Sequence, residues 1–318
     1  MSYARETALA NRSFTPALDR ELVRNPWAGP LGIGWATAFV ASAARIASPA
    51  AVRDFFRVLA RKDRMLFRLG WALVFAVPMF AAFGFLAHPA TMNASPWIKP
   101  IKFSMSFASF AWTVSLFLML VRIPAWQRRL ARKTIAISVT VEMLCLAAQA
   151  WRNAGPNSAA FADFIIQQGT TAMVSINTLV TIWFLVVFSR KRERIKLTDY
   201  AQIVAIRLSI WIFLLGNAIG GYMLGRGSHT VGASDAGPGL PFVNWSTIGG
   251  DLRIAHFIAI HAIQIVPVFA FILAQMTPRP SHRQRRIAVY AMAALVALAV
   301  GGTFVQAALG HPLLAIGR

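Results

Sequence analysis

Seven apolar runs of about 20 residues dominate this chain, at roughly 66–88, 101–122, 133–151, 168–189, 202–225, 252–276 and 286–309. That length carries an α-helix across the hydrocarbon core of a bilayer. The runs are continuous and show no alternation of period two, which argues against the strands of a membrane barrel. A hydrophobic content of 57% and a mean hydropathy of +0.56 are too high for an ordinary soluble domain. The expected fold is all-α, a polytopic membrane protein with seven transmembrane helices. Its parts are a cytoplasmic or interfacial N-terminal region at 1–65, a seven-helix membrane domain at 66–310 and a periplasmic tail at 311–318. The membrane domain includes a long outer loop at 226–251.

The formal charge of +21 reads as topology rather than as affinity for nucleic acid. Lys and Arg number eleven in residues 1–68, five in 122–133, five in 190–196 and four in 279–286, which is 25 of 32. On the seven-span map all of these fall on one side, and Arg207 lies just inside the same end of its helix. The other side holds Lys99, Lys102, Arg152, Arg226, Arg253 and Arg318. Basic loops stay in the cytoplasm, so the N-terminus is expected inside and the C-terminus outside. The expected partner of the basic side is the bilayer with its anionic headgroups. Nucleic acid is not expected as a partner.

The first 30 residues lack the apolar stretch of a secretory signal peptide, so the first span is expected to act as the anchor. Leu31 to Ala47 is apolar but short, and Ala50 to Arg61 has apolar and basic residues at helical spacing. Both read as helices lying on the cytoplasmic surface. The single cysteine, Cys145, excludes an internal disulfide and reads as packing. No internal repeat is visible, so an inverted-repeat transporter is not supported.

Polar residues inside apolar helices are costly, and they mark the candidate site. Lys102, Ser106, Ser109 and Thr113 share one face of the second span. Glu142 lies in the middle of the third span and needs a partner, a proton or a metal; Arg253, His256 and Lys102 stand at comparable depth. Gln168, Thr171, Ser175 and Thr178 line the fourth, and Gly216-x-x-x-Gly220 and Gly221-x-x-x-Gly225 in the fifth read as close helix approach. The sixth span carries Arg253, His256, His261 and Gln264 within a sector of roughly 140°. Asp251 precedes it, both as a helix cap and as a carboxylate able to orient Arg253 or His256.

Five of the six histidines, His88, His229, His256, His261 and His311, fall in the outer half, and only His282 is cytoplasmic. His256 and His261 are five residues apart, whereas paired metal ligands on one helix favour four, so any metal or haem needs a further partner. Glu142, His256 and His261 are candidate proton carriers or ligands, and His229 joins them as a candidate metal ligand. Lys102, Arg253, Asp251 and Trp245 are candidate substrate-binding residues. No zinc-protease HExxH, phosphate loop, nucleophile elbow or dinucleotide fingerprint occurs.

The blocks KPIKFSMS at 99–106, GSHTVG at 227–232, GPGLPFVNWST at 237–247 and GDLRIAHFIAIHAIQ at 250–264 resemble those of an uncharacterised family of bacterial multi-pass inner-membrane proteins. The resemblance spans about 65–310 and implies a bacterial inner membrane, but no reaction. Three functions stay open on the sequence. The first is redox or hydrolytic chemistry at an outward-facing metal or haem site. The second is a carrier or channel for a small anionic or proton-coupled solute, and the third a non-catalytic subunit docking a membrane-complex partner through the long loop.

Overall fold

In the computed structural model the described residues are 33–87, 95–152, 160–190, 195–197, 199–277 and 279–315. Among them are nine helices, seven of which are long and apolar enough to cross a membrane. Two short helices come first, α1 (Ile33–Ile46) and α2 (Pro49–Lys62). The seven long ones are α3 (Arg64–Ala87), α4 (Ile98–Leu120), α5 (Ala125–Trp151), α6 (Phe161–Ser189), α7 (Tyr200–Arg226), α8 (Leu252–Ala274) and α9 (His282–Ala308). Between α7 and α8 the chain forms a two-residue antiparallel pairing of β1 (Thr230–Val231) with β2 (Gly250–Asp251). One end of the bundle carries this loop and the other carries most of the cationic residues; they are called the loop face and the basic face below.

Caps fix several helix starts. The Ser48 hydroxyl accepts from Ala51 N with Pro49 in the first turn, and Asp199 accepts from Ala201 N. Ser281 and Gln284 form a capping box. Helix α7 ends on Gly227 at φ 64°, a left-handed position that suits glycine. Helices α5 and α6 begin seven or eight residues before their apolar runs. Their first turns hold Gln127, Arg128, Arg129 and Asp163, which lower hydropathy without interrupting helix formation.

Helices α1 and α2 have 14 residues each, about 21 Å of helix and too short to cross a core of about 30 Å. Helix α2 lays Leu59 against the bundle and packs Phe56 between Trp71 and Trp112, at ring centroid distances of 5.2 and 4.8 Å. Helix α1 rests on α8 through Phe39 and Phe269, and Arg45 donates to the Gln275 carbonyl at its end, 3.0 Å away.

The long helices divide into two packed groups. Helices α3 to α6 share one hydrophobic core, extended by α7 residues such as Ile206 and Phe213. Helices α7, α8 and α9 share a second core with Ala38 of α1. Phe110 and Phe213 stack across the junction, with centroids 5.7 Å apart and planes 6° from parallel. Helices α7 and α8 pack along their length, whereas α4 meets α8 only locally.

Glycine explains the tight pair. A Cβ on Gly216 would stand 2.8 Å from Ala259 Cβ, and one on Gly220 would stand 3.0 Å from His256 Cε1. The first small-residue motif of α7 is thus a helix contact. At Gly221 and Gly225 an added Cβ would meet nothing within 4 Å among the described residues, so the second motif makes no such approach. Gly216→Val should lower stability by about 1–3 kcal/mol through overpacking. Gly225→Ala should leave it unchanged or raise it by up to about 1 kcal/mol. Thermal unfolding of the two variants in detergent checks this contrast.

Candidate functional site

The loop from 227 to 251 is a folded roof. Its ends pair at Thr230 with Asp251 and at Val231 with Gly250, and Leu252 N donates to the His229 carbonyl at 3.0 Å. Within it, Leu240 N donates to Trp245 O at 2.8 Å, Asn244 N to Leu240 O at 2.8 Å and Thr247 N to Pro238 O at 3.1 Å. Gly250 has no room for a side chain, because a Cβ there would run into the Ala307 carbonyl of α9. Two non-glycine residues adopt left-handed backbone, Phe242 at φ 65° and Asn244 at φ 55°. Asparagine tolerates this region, but for phenylalanine it costs about 1–2 kcal/mol, which the surrounding contacts must offset.

Those contacts converge from α4 and α8. Lys102 of α4 donates to the Val243 carbonyl at 3.0 Å. Arg253 of α8 donates to the Asn244 carbonyl through Nη2. Asp251, 1% exposed, ties the arrangement together. It accepts from Arg253 N at 3.0 Å, from Arg253 Nε at 2.9 Å and Nη2 at 2.6 Å, and from Ser246 N at 2.9 Å. Burial alone would raise its pKa. The Arg253 hydrogen bonds and charge, with the two N–H groups, hold it below the usual carboxylate range. Both readings of Asp251 from the sequence, helix cap and orienter of Arg253, describe the same carboxylate.

His229 occupies the hinge of the roof. Its Nδ1 lies 3.0 Å from Thr230 Oγ1 and 3.3 Å from Asp235 Oδ1. Asp235 also accepts from the Ser228 hydroxyl and from Thr230 N, each at 2.8 Å. Burial, with the charges of Arg253 and Lys102, lowers the His229 pKa against the opposing pull of Asp235 and Asp251. Asp235 was not singled out by the sequence, since its pairing depends on a loop path that no periodicity reveals.

Beneath the roof, the polar face of α4 meets that of α8. Ser106 Oγ lies 3.4 Å from His261 Nε2, and the Gln264 side chain neighbours the same ring. Gln264 Oε1 is buried without a hydrogen-bond partner among the described residues. Trp245 from the roof reaches Phe257 at 5.9 Å, and Phe257 reaches His261 at 4.5 Å between ring centroids. Ser109 and Thr113, in contrast, donate back to their own helix at 2.8 Å each and act as packing residues.

Glu142 stands apart from this seam. It is 1% exposed, and neither carboxyl oxygen has a hydrogen-bond partner among the described residues. Its charged neighbour is Lys99, rather than the Lys102, Arg253 or His256 considered from depth alone. Ser138, one turn further toward the basic face, donates to Asn177 Oδ1 at 2.5 Å. The next residue of α6, Thr178, accepts from Asn217 of α7 at 2.8 Å. Every other described carboxylate has a cationic or histidine partner: Asp54 with Arg57, Asp63 with Arg132, Asp163 with Arg152, Asp199 with Arg285, Asp235 with His229 and Asp251 with Arg253.

The four candidate metal ligands are held at separate places. His256 sits in the Gly216–Gly220 groove with Nδ1 2.8 Å from Gly216 O, His261 faces Ser106, His229 faces Asp235, and Glu142 lies in the α3–α6 half. No group of three His, Cys, Asp or Glu side chains suited to a metal occurs among the described residues. The helical sector drawn around α8 missed this separation, because α7 claims His256 on one flank while α4 meets His261 on the other. His88 lies outside the described residues, His311 is exposed at the end of α9, and His282 accepts from Arg285 at the basic face. Neither a protein-family model, nor a curated protein, nor a solved structure matches the chain.

The charge pattern of the roof makes it acid-sensitive. His229 has a folded-state pKa below the ordinary 6.5, so its contribution is complete above about pH 6.5 and is lost as pH falls through the folded value. Amide exchange across 228–251, corrected for its intrinsic pH dependence, should accelerate on acidification from about pH 7 to 5. His229→Gln should flatten that change, leaving the steeper loss below about pH 4 that belongs to Asp235 and Asp251.

Proposed function

We propose that the chain is a proton-coupled carrier of a small anionic solute in a bacterial inner membrane, its basic face cytoplasmic and its roofed loop face periplasmic. The observation that carries this reading is the isolation of Glu142 within a membrane-length helix, buried and without a hydrogen-bond partner among the described residues. Ionisable groups at such depth mark ion or proton pathways. The neutral acid suits the apolar surroundings, and Lys99 provides a countercharge when the proton leaves. Ser138 and Asn177, about one turn from Glu142 toward the basic face, and the Asn217–Thr178 pair add polar side chains at the same level of the bundle.

The anion-binding part rests on the mouth of the seam. Lys102 uses one ammonium donor on Val243 and has two more, and its charge and that of Arg253 both reach His229. Trp245 and Phe257 offer an apolar wall beside these cations. The orientation is supported by the distribution of Lys and Arg, and the bacterial membrane by the resemblance of the four sequence blocks. A metal or haem reading would need ligands from more than one of the separate histidine sites.

Reconstituted vesicles containing a pH-sensitive dye test the proposal, with lactate, succinate and inorganic phosphate as probe anions. The wild-type chain should acidify the lumen when one of these anions is added, and Glu142→Gln should reduce that rate at least tenfold while the protein remains folded. Equal acidification by Glu142→Gln, or none with any probe in the wild type, would overturn the reading.

A further inference from the structure

The seam between α4 and α8 holds an acceptor that lacks a donor. Gln264 Oε1 is buried and has no hydrogen-bond partner among the described residues. A bare amide oxygen within a membrane-length helix is unfavourable, and a ligand that donates to it offsets that cost. Phe257, His261 and Gln264 recur at helical spacing, so they share one face of α8. On α4, Ser109 and Thr113 return their hydroxyls to their own helix, whereas Ser106 meets His261 Nε2 at 3.4 Å. The Ser106 hydroxyl, the His261 ring and the Gln264 side chain therefore stand together at one level of the seam. Helix α4 meets α8 only locally, and Phe257, beside His261, keeps 45% of its surface exposed.

A cation stands on the loop side of this level. Lys102 precedes Ser106 by one turn of α4, a rise of about 6 Å. Its ammonium has two donors beyond the one that Val243 accepts. Arg253, engaged by Asp251 and Asn244, adds positive charge at the same end. Trp245 and Phe257, with ring centroids 5.9 Å apart, offer apolar contact beside these groups.

These groups specify a solute part by part. Free ammonium donors suit an anion, and the Gln264 oxygen needs a donor. The positive end disfavours a second ammonium on the solute, which leaves a hydroxyl as the donor. A hydroxyl also accepts, so the same oxygen can receive a hydrogen bond from Ser106 or His261. A spacing of one turn suits a short carbon chain.

We propose that the seam selects short-chain hydroxycarboxylates, with the carboxylate on Lys102 and the hydroxyl on Gln264 Oε1, and that Gln264 determines this specificity. The inference names the solute class of the carrier proposed above and rests on that reading for transport, while the binding itself needs no proton coupling.

Equilibrium binding of radiolabelled lactate to the full chain in lipid nanodiscs tests it, with unlabelled lactate, propionate and alanine as competitors. The three share one carbon skeleton and carry a hydroxyl, a hydrogen or an ammonium at the same carbon. Lactate should displace the label at about tenfold lower concentration than propionate, because a site built to bond a hydroxyl rejects the analogue without one. Alanine should displace least. Gln264→Leu should weaken lactate to the level of propionate and leave propionate unchanged, and Lys102→Gln should weaken both acids by the same factor. Equal competition by lactate and propionate in the wild type, a comparison that needs no variant, would overturn the proposal. So would no lactate binding, alanine competing as well as lactate, a lactate preference that survives Gln264→Leu, or undiminished lactate binding in Lys102→Gln. Selective binding without lactate-driven acidification of vesicles would keep the site and overturn the carrier alone. Acidification without selectivity would keep the carrier and overturn the site.

Discussion

The constraint on which this structure depends is the cost of leaving a polar group unmatched inside apolar helices. Most polar side chains in the bundle answer it locally. Thr113, Thr140, Thr170 and Thr171 return hydrogen bonds to the carbonyl four residues earlier. Others answer it between helices, as Ser138 does with Asn177 and Asn217 with Thr178. His256 answers it by turning its Nδ1 to the Gly216 carbonyl, beside Gly220, where a side chain would crowd the ring. Against this background a few neutral groups, such as Gln264 Oε1 and the Ser104 and Ser115 hydroxyls, stay unmatched among the described residues, and Glu142 is the described carboxylate with neither oxygen hydrogen-bonded.

The roof follows from the same rule applied at the helix end. Asp251 is buried beside the start of α8, so its carboxylate must be fully engaged, and it is met by Arg253 and by Ser246 N. Once Arg253 is fixed, its remaining reach goes to Asn244, and Lys102 holds the adjacent Val243 carbonyl. These two cations belong to different packed groups of helices, and together they bridge the seam over His261 and Ser106. Movement of α4 relative to α8 would therefore loosen the roof, and loss of the roof would open the seam. The path of the roof is thus tied to the packing of the two helix groups.

The seven long apolar helices were legible because a helix able to cross hydrocarbon needs a set length and composition, and the charge asymmetry sorted their ends into two faces. The cap at Asp251, its hold on Arg253 and the close approach at Gly216 were legible for a local reason: each is decided within one or two helical turns. Glu142 was recognisable as a buried acid, but its neighbour Lys99 was not, since that depends on how α4 rotates against α5. The separation of His256 from His261 was visible as an angle, yet which helix would receive each ring was not. The pairing of Asp235 and the backbone of Phe242 depend on an irregular path, which neither the 3.6-residue period nor composition specifies.

Glu142 as a group that exchanges a proton within the bilayer is the central claim, and infrared difference spectroscopy of the chain in lipid bilayers tests it most directly. A protonated-carboxyl stretching band should appear and disappear as pH is cycled, shift on transfer to heavy water, and be missing from Glu142→Gln. A band of the same size in Glu142→Gln, or no titrating band in the wild type, would contradict the account.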